Sequence, residues 1–159
     1  MTHHIDYKKL FISLLIPQLV GMLGAFFTAP AIGMWYAGLI KPALNPPSWI
    51  FAPVWLTLYV LIGIAFYLIW QKGLYKDYNR RVFLLFITHI FLNGIWSILF
   101  FGAGNIYLAL IDILLILGTL ILLMVLFWRI DHRATYLFIP YLAWVSFATY
   151  LNYSLLILN

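Results

Sequence analysis

Five uninterrupted apolar runs, at 10–29, 48–70, 82–101, 106–128 and 135–158, take up nearly the whole chain. An α-helix rises about 1.5 Å per residue, so each run of roughly 20 residues can cross a hydrocarbon layer about 30 Å thick. The runs are continuously apolar and lack the alternation of inward polar and outward apolar positions that a membrane barrel strand needs. With 66% hydrophobic and 8% charged residues, the 159-residue chain has too little polar surface to cover a water-soluble globule. The expectation is an all-α, polytopic membrane protein: one domain over 1–159 folded as a five-helix transmembrane bundle. No internal repeat and no low-complexity tract interrupts it.

The first run could be taken for a secretory signal, because Lys8 and Lys9 precede it and Ala29-Pro30-Ala31 has the small residues of a cleavage site. Its apolar part exceeds the usual length of about 7–15 residues, and Gly21 with Ala25 forms a small-xxx-small pair suited to helix packing, so a retained helix is expected. Five spans put Lys8, Lys9, Lys72, Lys76, Arg80, Arg81, Arg129 and Arg133 on one side and Lys41 alone on the other. That segregation predicts a cytoplasmic amino terminus and an external carboxyl terminus. The same bias, with anionic membrane lipid as a partner, accounts for the net charge of +5 without nucleic acid. The chain has no cysteine, which excludes disulfides and thiolate chemistry. His3 and His4 are adjacent and cannot face one ligand from a helix, and His132 falls in a turn; no metal site is expected.

The segment WYAGLIKPALNPPSWIFAPVWLTLY at 35–59 carries four prolines and six aromatic rings. Tyr and Trp gather where hydrocarbon meets water, while Pro42, Pro46 and Pro47 hold the backbone extended or turned until Pro47 can open a helix. A structured lid at one mouth of the bundle follows.

Depth along the predicted helices groups further residues. Counted from Arg81, Asn93 lies about 18 Å and Trp96 about 22 Å up the third helix. Asp112 lies about 12 Å below Gly104, with Trp55 at a similar depth below Pro47; Trp144 and Ala148 come about 15 and 21 Å above Ala134. All belong to the outer half. Phe51, Trp55 and Tyr59 share a helix face, as do His89, Asn93 and Trp96, and again Trp144, Ala148, Leu151 and Asn152. Such stripes serve helix packing as readily as a pocket. Asp112, however, has no basic residue in any span, and a carboxylate at that depth must face a polar interior. A hydrogen-bonded cluster of Asp112 with Asn93 and Trp55 is expected, either as a polar staple between helices or as the lining of a cavity for a flat ligand.

The segment at 35–59, together with NGIWSILFFGAGN at 93–105, ALIDILLI at 109–116 and PYLAWVSFATYLNY at 140–153, resembles the TspO/MBR translocator proteins over nearly the whole chain. This family is also known as the tryptophan-rich sensory proteins or peripheral benzodiazepine receptors. The resemblance implies a five-helix membrane protein, usually a homodimer, whose cavity is closed by the loop after the first helix. Its ligands would be porphyrins such as protoporphyrin IX, benzodiazepine-site compounds and, in animal members, cholesterol. Carried over by motif, the ligand-binding positions would be Trp35, Tyr36, Pro46, Trp49, Phe51, Trp55, Tyr59, Asn93, Trp96, Leu108, Asp112, Trp144, Ala148, Leu151 and Asn152.

The resemblance leaves the activity open. A receptor or sensor that binds porphyrin, with no required cofactor, leads. A porphyrin transporter is the alternative, although no inverted repeat or broken helix supports it. So is a light-dependent protoporphyrin-degrading enzyme using Trp55, Trp96 and Trp144, for which no base, nucleophile or metal set stands nearby. The sterol motif of mammalian members is absent after Tyr150 and Tyr153, and the loose match at Leu74, Tyr78 and Arg80 is permissive enough to arise by chance. A bacterial plasma membrane is the expected location.

Overall fold

The computed structural model describes residues 5–73 and 77–159; His3, His4, Leu74 and Lys76 lie outside them. Five helices cross the described residues: α1 Tyr7–Ile32, α2 Phe51–Gln71, α3 Asp77–Ser97, α4 Ile106–Trp128 and α5 His132–Leu158. Each is long and apolar enough to span a bilayer, and no strand occurs among the described residues. α1 packs on α2 and α3, α2 on α5, α5 on α4 and α4 on α3, which closes a ring in the order 1-2-5-4-3. Side chains from α2, α3 and α5 meet inside that ring.

Local chemistry explains the helix limits. α1 starts at Tyr7 rather than Leu10, because the Asp6 carboxylate accepts the Lys9 N–H at 3.1 Å and satisfies a first-turn donor. The Asp6 N–H donates in turn to the Tyr67 hydroxyl at 3.1 Å, which ties the start of α1 to the end of α2. Asn105 caps α4 through the Leu108 N–H at 2.9 Å, and Asp131 caps α5 through the Arg133 N–H at 3.0 Å. Pro47 does not open α2: it precedes a 3-10 turn over Ser48–Ile50, and the α-helix begins at Phe51. Pro53 is tolerated in the first turn of α2, where a backbone N–H has no helical acceptor in any case. α3 passes into a π turn over Ile98–Gly102, and the chain reverses at Gly104 with φ +61.

Close approach of α1 to its neighbours depends on missing side chains. A Cβ on Gly63 would lie 2.8 Å from the Ser13 carbonyl oxygen and 2.9 Å from the Leu14 Cα, so α1 and α2 touch backbone to backbone there. Gly21 accommodates the Tyr59 ring, and a Cβ on Gly24 would come within 2.9 Å of the Ser97 hydroxyl. Ala25, expected to form the small pair with Gly21, is exposed instead, since Gly24 occupies the packed face. Gly94 of α3 and Gly102 of the π turn face Val20 and Phe27 of α1 in the same chain.

Inside the ring, the end that carries Lys8, Lys9, Lys72, Arg80, Arg81, Arg129 and Arg133 is closely packed. Phe66 and Phe86 stack with centroids 4.3 Å apart and planes 1° from parallel, and Phe127 lies 5.1 Å from Phe138. Ile69, Val82, Leu120 and Leu123 fill the space around them and are fully buried.

Candidate functional site

The opposite end is closed by the loop that leaves α1. Trp35 begins a short 3-10 turn, and Tyr36 folds beneath it, its hydroxyl donating to the Asn45 side-chain oxygen at 2.7 Å. The Lys41 ammonium sits 4.9 Å from the centre of the Tyr36 ring, a cation–π contact. Burial pushes the Tyr36 phenol above its ordinary range, so it remains a donor at neutral pH. Asn159 ties down the far edge: its side-chain oxygen accepts the Ile40 N–H at 2.9 Å, and its amide nitrogen donates to the Ile40 carbonyl at 3.1 Å.

A column of rings descends from this lid. Trp35 meets Phe100 edge-on at 5.3 Å, and Phe100 stacks on Trp96 at 5.0 Å. The Trp96 indole N–H donates to the Asn152 oxygen at 3.1 Å, and Asn152 donates to the Ile106 carbonyl at 3.0 Å, which fixes the relative height of α3, α4 and α5. Across the ring, Trp55 stacks on Tyr59 at 5.3 Å and meets Tyr141 edge-on at 6.3 Å, while Phe51 lies edge-on to Trp144 at 5.9 Å.

Beneath the rings lies a polar chain. The Tyr59 hydroxyl donates to the Asn93 oxygen at 3.0 Å, and the Asn93 amide donates to the Tyr141 hydroxyl. Tyr141 reaches His89 Nε2 at 2.9 Å, and His89 Nδ1 reaches the Thr119 hydroxyl at 2.8 Å. The Thr119 proton is directed to the backbone carbonyls of Leu115 and Ile116, at 2.9 and 3.0 Å, so Thr119 accepts from His89. This assigns the neutral ring proton to Nδ1 and leaves Nε2 to accept from Tyr141, with every member of the chain satisfied.

The expected cluster of Asp112, Asn93 and Trp55 does not form. Asn93 is engaged by Tyr59 and Tyr141, and Asp112 Oδ2 is buried with no hydrogen-bond partner. The Trp144 indole N–H is likewise buried and unpartnered. By helical rise from the Asn152–Ile106 bond, Asp112 lies about 9 Å and Trp144 about 12 Å deeper, on two helices that pack together. The only other such atom among the described residues is the Ser13 hydroxyl, at the α1–α2 contact.

Not every position named from the sequence joins this group. Trp49 is 73% exposed and Leu108 43% exposed, both turned outward. Pro46 is half-buried in the lid, Ala148 half-buried against the core and Leu151 buried. Phe100, Tyr141 and Thr119 are central here and were not singled out, although each had a spacing signal. Phe100 follows Trp96 by four residues, Tyr141 precedes Trp144 by three and Thr119 follows Asp112 by seven.

The TspO/MBR family profile matches residues 13–158. The chain is 42% identical over 151 residues to the tryptophan-rich protein TspO of Archaeoglobus fulgidus, covering 95% of this chain and 97% of that protein. It is 38% identical over 140 residues to the human translocator protein, covering 87% and 83% respectively. It is 31% identical over 139 residues to the protein CrtK of Rhodobacter capsulatus, covering 87% and 85%.

Proposed function

Because the chain belongs to the TspO/MBR family, we propose that it is an integral membrane receptor or sensor that binds a porphyrin, or a flat aromatic amphiphile like it, in the lid-end half of the bundle. The observation that carries this reading is the pair of unpartnered buried polar atoms, Asp112 Oδ2 and Trp144 Nε1. A buried polar group without a partner costs about 1–3 kcal/mol. A ligand with pyrrole N–H donors for the carboxylate and an acceptor for the indole would recover that cost at both positions. The half-buried rings of Trp55 and Trp96 offer flat faces, and Lys41 is the one basic residue at that end among the described residues to meet a peripheral carboxylate. The charge segregation supports a cytoplasmic amino terminus and a lid on the outer side of a plasma membrane.

Titration of the purified protein with protoporphyrin IX tests the reading through quenching of Trp fluorescence. Saturable quenching is expected, weakened about tenfold by Asp112→Asn and again by Trp144→Phe, as the loss of one buried hydrogen bond implies. Absence of quenching sinks the proposal. Loss of the Soret band on illumination, abolished by Trp55→Phe with Trp144→Phe, would replace it with the degradative reading, and porphyrin flux into liposomes above empty vesicles with the transport reading.

A further inference from the structure

A cavity of about 410 Å³ opens at the basic end, between the end of α2 and the turn that joins α4 to α5. Nothing in the porphyrin reading uses it. Three cationic side chains line it, Lys72, Arg129 and Arg133, against one carboxylate. That carboxylate, Asp131, holds Arg133 at 3.0 Å and Lys72 at 3.7 Å, and its side chain is only 7% exposed. Two of the cations are therefore paired with it, and their combined charge with Arg129 exceeds what Asp131 can balance. Arg129 caps the carboxyl end of α4 and forms no ion pair among the described residues.

The remaining wall is aromatic: the Trp128 ring lies 4.1 Å from that of His132. Trp128 is also the last of a stripe with Ile121 and Val125, all three about half exposed and spaced one turn apart along α4. The stripe leads from the cavity into the depth of the membrane. A cationic pocket at the level where helices leave the hydrocarbon, continued downward by an apolar track, fits a ligand with an anionic phosphate head and an acyl tail.

We propose that this pocket binds one anionic phospholipid per chain, its phosphate held by Arg129, Arg133 and Lys72 and its acyl chain lying along Trp128, Val125 and Ile121. The proposal rests on the transmembrane placement of the helices and is independent of what the lid-end half binds. The lipid is the source favoured over a soluble phosphate because the apolar track has no counterpart in a small anion.

Delipidated protein in neutral detergent, titrated with phosphatidylglycerol and read by native mass spectrometry, tests it. One saturable lipid per chain is expected, with phosphatidylcholine bound at least about tenfold more weakly. Arg129→Gln should weaken phosphatidylglycerol binding about tenfold and Arg129→Gln with Arg133→Gln further, each variant keeping its thermal midpoint within a few degrees of the parent. Arg80→Gln with Arg81→Gln, which removes two cations at the same end but outside the pocket, should change it less than about twofold. Equal loss in that control, unsaturable uptake, or equal binding of phosphatidylcholine would overturn the site. Displacement of the lipid by equimolar glycerol 3-phosphate or inorganic phosphate would overturn the lipid as its occupant. A double variant that unfolds leaves Arg129→Gln, whose side chain forms no ion pair among the described residues, to decide.

Discussion

The two halves of the bundle are built from the same helices and similar numbers of rings, yet they use them differently. In the basic-end half, Phe66, Phe86, Phe127 and Phe138 are fully buried and bear no polar atom, so burial leaves nothing unsatisfied. In the lid-end half, Trp35, Trp55, Trp96 and Trp144 are only partly buried, and one indole N–H has no partner. A Phe core can be closed completely at no polar cost, whereas an indole closed over needs an acceptor. One half is suited to holding the fold, and the other is where the proposed ligand would find its partners.

The largest test of this contrast is truncation on both sides. Phe86→Ala removes a stacked, fully buried ring and should cost roughly 2–4 kcal/mol of stability in detergent unfolding. The lower part of the soluble-protein range is expected because the unfolded helices remain in an apolar medium, leaving mainly the cavity term. Trp144→Ala should cost less than half as much, since a ring that is only half-buried has fewer contacts to lose. Equal costs would erase the distinction between the halves.

Between them lies the polar chain, and Tyr141 is its hub. Tyr141→Phe keeps the ring but leaves the Asn93 amide and His89 Nε2 without their partner, at about 1–3 kcal/mol each. If the chain also aims Tyr59 and Asn93 at a ligand, porphyrin affinity should fall along with stability. An unchanged melting midpoint would show that the hydroxyl contributes nothing to the join between halves.

How far these features could be read in advance depended on which coordinate they needed. Span number and depth follow from run length and a fixed rise, and 106–128 was expected as a span and is observed as α4 without change. Direction around the helix is harder to read in spans where most residues are apolar. Asp112 and Asn93 were matched by depth, but Asn93 points between α2 and α5, so the expected bond does not exist. Thr119 and Tyr141 carry ordinary polar groups among apolar neighbours, and only the fold brings them to His89. The lid was legible as a proline and aromatic cluster, while its tie to Asn159, 119 residues away, was not.

The smallest expected effects come from the ties that close each end, and they differ in chemistry. At the lid, Asn159→Ala removes the amide that grips Ile40 and should cost only about 0.5–1.5 kcal/mol, because water can replace an exposed bond. It should instead speed porphyrin release, measurable by stopped-flow chase, and that loss should be independent of pH because an amide does not titrate. At the basic end the tie is a carboxylate: hydrogen bonds and charge from Arg133, with Lys72 beyond, hold Asp131 below the ordinary carboxylate range. A depressed value means that the contribution is complete above the unfolded carboxylate pKa and is lost as pH falls through the folded one. Acidification across that window should therefore lower the melting midpoint of the parent slightly more than that of Asp131→Asn, with Asn159→Ala tracking the parent. Parallel pH curves for parent and Asp131→Asn would mean that the carboxylate tie does not hold the basic end closed.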